Sequence, residues 1–206
     1  ITLQNAGDVA RQTFRLALFQ DHPFGHPYSR ESTLKALQLG HVRNFFDDNI
    51  GSARSHLYVS GVFDDAEVEQ AVKRAFIDWT RGSPPVPKPP KPVARRQLDL
   101  IDRPDAPQST LWIGLPVIGP TNPDYVAFQV TDALLGGAFS SRITTNIRED
   151  KGYTYSPYSQ IWSHSGASYW VQIADVTTND TGNSLKEIFA EVDRLPLRGE
   201  QFAVDL

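Results

Sequence analysis

Two side chains in this sequence could work together on a carbonyl group: Arg148 and Tyr155. A guanidinium fork is planar, permanently charged and able to donate to carbonyl oxygens. A phenol hydroxyl can donate to the oxyanion that forms when water attacks a peptide carbonyl. The alternative open at this point is structural: Arg148 pairs with a helix carboxylate such as Asp150, and Tyr155 is one more strand aromatic.

The stretch that must position them is Leu134–Gln160, LLGGAFSSRITTNIREDKGYTYSPYSQ. Gly136-Gly137 breaks a helix, because glycine there costs backbone entropy. Phe139, Ile143 and Ile147 recur every four residues and predict one face of a second helix. Lys151-Gly152 has the form of a helix stop, a cation in the last turn and then glycine. Beyond it the spacing predicts an extended segment with Tyr153 and Tyr155 on one side and Thr154 on the other. The glycine corner folds that strand back, so that guanidinium and phenol can face one pocket.

Other chemistries lack their residues. With no cysteine there is no thiol catalysis, disulfide or cysteine-ligated zinc. No phosphate-binding glycine loop and no convincing Ser-His-Asp arrangement is present. The histidines are His22, His26, His41, His56 and His164. His22 and His26 are four apart, but Pro23-Phe24-Gly25 separates them in a turn-rich loop. His41 opens a short helix, His56 lies in a strand-like run and His164 in a turn.

The run SSRITTNIREDKGYTY resembles a signature of the second half of the pitrilysin, insulysin and mitochondrial processing peptidase family of zinc metallopeptidases. HPFGHPY and SHLYVSGVFDDAEVEQAVKRAFIDW stand in that family's order too, more weakly. The resemblance implies two similar α+β halves, with zinc held in the first by an inverted His-x-x-Glu-His motif. No such motif occurs here, so zinc is expected in the parent or a partner half and none on this chain. Arg148 and Tyr155 fall on the Arg and Tyr that the second half brings to the substrate. Tyr153 departs from a usually aliphatic position without disturbing that spacing. Arg142 is expected to serve structure. The implied function is the non-metal-binding portion of a metallopeptidase, with peptide or unfolded protein as substrate. The alternative is a catalytically inactive homologue acting as scaffold or partner subunit.

Composition agrees with this frame. The 206 residues are 40% hydrophobic and 21% charged, enough for one large domain or two small ones. A net charge of −4 argues against nucleic acid or anionic membrane as the main partner. No apolar run reaches the length of a membrane span. The chain starts at Ile1 and contains no methionine, which reads as a piece of a longer protein. Any export signal is removed or lies upstream, and an exported bacterial protein is the expectation from the resemblance.

The supporting elements follow in order. Helical spacing covers about Asn5–Gln20, Ser32–Leu39 and His41–Asn49. Ser55–Phe63 is β-rich, and Asp64 with Glu67 resembles a capping box before a helix carrying a Glu69–Lys73 pair. Six prolines between Pro84 and Pro92 predict an extended spacer, or less simply a docking motif for proline-binding domains. Residues 94–104 and 108–118 are strand-like. Asn122-Pro123 opens a helix with Tyr125, Val126, Gln129, Val130, Ala133 and Leu134 on one face. Tyr153–Trp162 and Ala167–Val176 form a hairpin turned at 164–166, with a bulge or edge at Pro157. A last helix carries Leu185, Ile188, Phe189, Val192 and Leu195.

The fold expected is α+β, a mainly antiparallel sheet with helices on one face, in two partial lobes. Residues 1–83 would be the tail of the first lobe, 84–93 the spacer and 94–206 the start of the second. Sheet edges and apolar faces left open by such a cut predict self-association, as a symmetric dimer. Sedimentation that shows a concentration-dependent dimer is the expected result, and a monomer at high concentration the contrary one.

Overall fold

The structure is a computed structural model that describes residues 5–84, 88–164 and 166–195. Part of the proline spacer (85–87) and the tip of the hairpin turn (Ser165) therefore lie outside the described residues. Packing divides the chain into two compact units, 1–28 with 89–206, and 29–88. That grouping differs from a cut at the spacer, because the first helix packs with the second lobe.

The larger unit is built on a three-stranded antiparallel sheet. β1 (Gln108–Val117) and β2 (Tyr158–His164) flank the central β3 (Ala167–Thr177). The register sets Trp112 opposite Ile173 and Trp162 opposite Tyr169. β3 is buried along nearly its whole length, and alternation sends its side chains to two different cores. Trp170, Ala174 and Val176 join Leu135, Ile143, Ile147 and Ile188 on the helical side. Tyr169, Val171 and Ile173 join Leu18 and Phe19 on the other. The α+β, antiparallel expectation holds. In addition, α1 (Ala6–Phe19) covers the second face, its N-terminus capped by Asn5 accepting from the Gly7 amide at 2.8 Å.

On the helical side lie α5 (Tyr125–Asp132), α6 (Arg142–Thr144) and α7 (Thr181–Asp193). α5 begins later than expected. The Asn122 side chain accepts from the Asp124 amide at 2.9 Å, which makes a turn before the helix instead of its cap. Of the residues expected on one face of this helix, Val126, Val130 and Leu134 stand more than half open.

The smaller unit contains α2 (Glu31–Ala36), α3 (Leu39–Asn49) and α4 (Asp65–Ala75). The Asp64 cap on the Glu67 amide (2.9 Å) and the Glu69–Lys73 pair (2.5 Å) are both formed. Ser55–Phe63 and 94–104 form no strand. A strand exists only through a ladder, and neither run has a strand partner among the described residues.

Candidate active-site cleft

Arg148 and Tyr155 come together. The Arg148 Cζ lies 5.1 Å from the centre of the Tyr155 ring and 4.4 Å from that of Phe139. The guanidinium thus lies over two aromatic rings, a favourable place for a cation. Its Nη1 is 3.0 Å from the exposed Glu149 carboxylate, an ion pair without hydrogen-bond alignment, so this buried nitrogen has no hydrogen-bond acceptor. Asp150, the alternative partner, is not the one used. Tyr155 stands 79% exposed. Arg148, Tyr155, Phe139, Gly136, Pro157 and Tyr158 are among the residues lining an open cleft of about 290 Å³.

Two π-helical turns build this cleft, Ala133–Gly137 and Thr145–Asp150. Such turns insert an extra residue per turn and recur at functional sites. The first carries Gly136 against β2 and β3. A Cβ on Gly136 would lie 2.5 Å from Gln172 Oε1 and 2.6 Å from Ser159 Oγ. Both neighbours are buried, and Ser159 donates to Asp132 Oδ1 at 2.5 Å, which also accepts from Trp170 Nε1 at 2.6 Å. Neither can yield freely. Gly136→Ala is therefore expected to destabilise the chain by about 1–3 kcal/mol, the usual cost of overpacking, read as a lower urea midpoint.

The second π turn carries Arg148 out of the helix. Ile143 and Ile147 are fully buried as the spacing predicted. Phe139 is not on that helix; it precedes the Ser141 cap and is 75% exposed, over Arg148. Gly152 closes the helix at φ +65°, its amide donating to the Arg148 carbonyl at 3.0 Å. The chain then bridges β3 through Thr154 opposite Val176, and four residues later β2 starts at Tyr158 opposite Ile173. One residue more lies on this side than on the facing strand, and Pro157 falls in the gap. Tyr153 and Tyr155 consequently part company: Tyr153 packs on the core, while Tyr155 projects over the cleft.

A polar network fixes the Arg148 segment to α7. Glu191, nearly buried, accepts from Arg142 Nε at 2.9 Å, Asn146 Nδ2 at 2.8 Å and Arg194 Nη1 at 2.9 Å. Lys151 donates to Asn146 Oδ1 at 2.6 Å and lies 3.4 Å from Glu187. Arg142 is thus structural, as its place in the Ser-Ser-Arg turn suggested. Burial pushes the Glu191 carboxyl up, but the Asn146 and Arg142 hydrogen bonds and the charges of Arg142 and Arg194 outweigh it and hold the group below the ordinary range.

No group of three His, Cys, Asp or Glu residues is gathered as a metal site among the described residues. The described residues do not fit zinc. His22 accepts from the Phe24 amide at 3.2 Å, His41 accepts from the Gln38 amide at 3.2 Å, and His164 packs on Phe24 and Trp162. No described helix is long and apolar enough to cross a membrane.

The chain belongs to the peptidase M16 inactive domain family, whose pattern it matches over residues 36–199. It is 25% identical over 207 residues to an uncharacterized zinc protease of Streptomyces coelicolor, covering 97% of this chain and 45% of that protein. It is 32% identical over 173 residues to one of Mycobacterium tuberculosis, covering 78% of this chain and 38% of that protein. Among solved structures it resembles a peptidase M16 inactive domain from Pseudomonas fluorescens, with TM-score 0.84 at 20% identity, over 93% of this chain and 47% of that one. A protease from Helicobacter pylori is similar at TM-score 0.78 and 18% identity, over 93% of this chain and 48% of that one. The last two likenesses establish the fold. The chain spans less than half the length of these relatives.

Proposed function

We propose that this chain is the non-metal-binding portion of a zinc-dependent endopeptidase, and that Arg148 and Tyr155 act on the substrate carbonyl during peptide-bond hydrolysis. The observation that carries this reading is their meeting, 5.1 Å from guanidinium carbon to ring centre, in one open cleft. Zinc would be held by a zinc-bearing half, in the same protein or on a partner subunit, and would there supply the water activation. The relatives named as zinc proteases, each about twice as long as this chain or more, support that division. On it, 1–83 is the tail of the first half, 94–206 the head of the second, and 84–93 the join.

The chain's own contribution is electrostatic. Tyr155 donates its hydroxyl proton in a hydrogen bond to the carbonyl oxygen as that oxygen gains negative charge. Arg148, restrained by Phe139 and by the π turn, places a permanent positive charge beside it and can hold a neighbouring substrate carbonyl. The exposed row of Val126 and Val130 on α5 with Leu134 in the π turn that follows supports an interface with the zinc-bearing half. Hydrolysis of a quenched fluorescent peptide by the complete enzyme tests the reading. Turnover unaffected by Tyr155→Phe and by Arg148→Lys would leave only a scaffold.

A further inference from the structure

On the other face of the sheet lies a second cleft, of about 420 Å³. Arg11 and Arg15 come to it from α1, and Trp112, Tyr158, Trp162 and Tyr169 from the strands. It contains two guanidiniums and no carboxylate among its lining residues, although the chain as a whole carries a net charge of −4. Neither arginine is ion-paired among the described residues. Arg11 lies over the Trp112 ring at 5.7 Å, and Arg15 Nε donates to the Phe24 carbonyl at 2.7 Å, which fixes its direction. The charge of Arg15 is felt nearby: burial and then Arg15 push the His164 ring below its ordinary range. Trp112 Nε1 is a buried donor with no acceptor. A rigid floor is provided by Trp162 stacked on Tyr169, interplanar angle 10°.

This cleft adjoins the first. Tyr158 lines both. It opens β2, an outer strand that pairs only with β3 among the described residues. Tyr158, Gln160 and Trp162 alternate along β2 and line the second cleft. The shared Tyr158 thus leads from Arg148 and Tyr155 to this basic, aromatic recess.

We propose that the Arg11–Arg15 cleft is a specificity subsite that takes an acidic side chain of the extended peptide substrate. The proposal rests on the reading of this chain as part of a peptidase for its substrate class. Its own chemistry is carboxylate recognition by charge-assisted hydrogen bonds, with the aromatic floor packing the aliphatic stem of Asp or Glu.

The test is binding of fluorescein-labelled octapeptides to the chain by polarisation, with one central Glu exchanged for Gln or Lys. The Glu peptide is expected to bind roughly tenfold or more tightly than the Gln peptide, by the strength of one charged hydrogen bond. That preference should shrink as salt rises. Arg11→Gln combined with Arg15→Gln should abolish it, whereas Arg11→Lys should keep part of it, with thermal unfolding followed for each variant. Turnover of the Gln peptide by the complete enzyme without a Glu-over-Gln binding preference would overturn this subsite and leave the catalytic reading standing, which separates the two failures. Equal binding of the Glu and Gln peptides overturns the proposal, as does a preference that survives the double arginine variant. Free N-acetylglutamate competing as well as the peptide would make the cleft a small-molecule site and overturn the peptide assignment.

Discussion

Tyr155→Phe is expected to lower kcat for peptide hydrolysis by roughly 100- to 1,000-fold, the loss associated with one oxyanion donor. KM should change little, because the hydrogen bond strengthens only as charge builds on the oxygen. The substitution isolates that bond. Phenylalanine keeps the ring under the Arg148 guanidinium, so the cation–aromatic packing at 5.1 Å persists. Tyr155 is 79% exposed, so loss of its hydroxyl leaves no buried group unsatisfied. Stability should therefore stay within about 0.5 kcal/mol, as for other surface changes. Steady-state kinetics of the complete zinc-bearing enzyme on an internally quenched peptide provide the measurement, with thermal unfolding alongside. An unchanged kcat would remove the oxyanion role and favour an inactive partner subunit.

The arrangement that makes this prediction was partly readable from residue order. Lys151-Gly152 announced a helix stop, and the stop occurs where it was expected, with Gly152 left-handed. Seven residues from Arg148 to Tyr155 across a corner implied proximity, and the two side chains meet. Fold class was readable for the same reason: β1, β3 and α7 have regular apolar spacing, which β3 buries and β1 and α7 pack against the core. Features requiring partners were not readable. The run at 94–104 has the composition of a strand, but composition does not provide a ladder, and no strand forms there. Phe139 shared a four-residue spacing with Ile143 and Ile147, yet the Ser141 cap starts the helix after it. Periodicity cannot distinguish a side chain two residues before a cap from one inside the helix. The π turns left no local signal beyond the paired glycines. α1 reads as an amphipathic helix, but nothing in its sequence states that it packs on the second face of a sheet about a hundred residues away. The Arg11–Arg15 cleft was therefore invisible before the fold was known, though both arginines lie one helical turn apart on α1.

Glu191→Ala should destabilise the larger unit by about 3 kcal/mol, the low end for breaking a buried ion pair, because Arg142 is partly exposed and can recover some solvent. In a chain of this size that corresponds to a fall in Tm of roughly 6–12 °C. The cost arises from what is left behind. Arg142 loses the one carboxylate oxygen that its Nε and Nη2 share and Asn146 its buried acceptor, at the base of the segment that ends in Arg148. Glu191→Gln should cost less, since an amide oxygen can still accept, and it permits a test by pH. The folded carboxyl of Glu191 is held below its unfolded value. Its ionisation therefore adds stability that is fully present above the unfolded value and disappears as pH falls through the folded one. Denaturant unfolding of native and Glu191→Gln proteins should show a gap at neutral pH that narrows as acid protonates the native carboxyl. A gap that stays constant would mean that Glu191 holds α6 and α7 together through shape alone. Because Glu191 touches no part of the cleft directly, its effect on turnover must pass through the placement of Arg148. The activity lost by Glu191→Gln should then be matched by a rise in KM, or by a loss common to all substrates, without the selective fall in kcat expected of Tyr155→Phe.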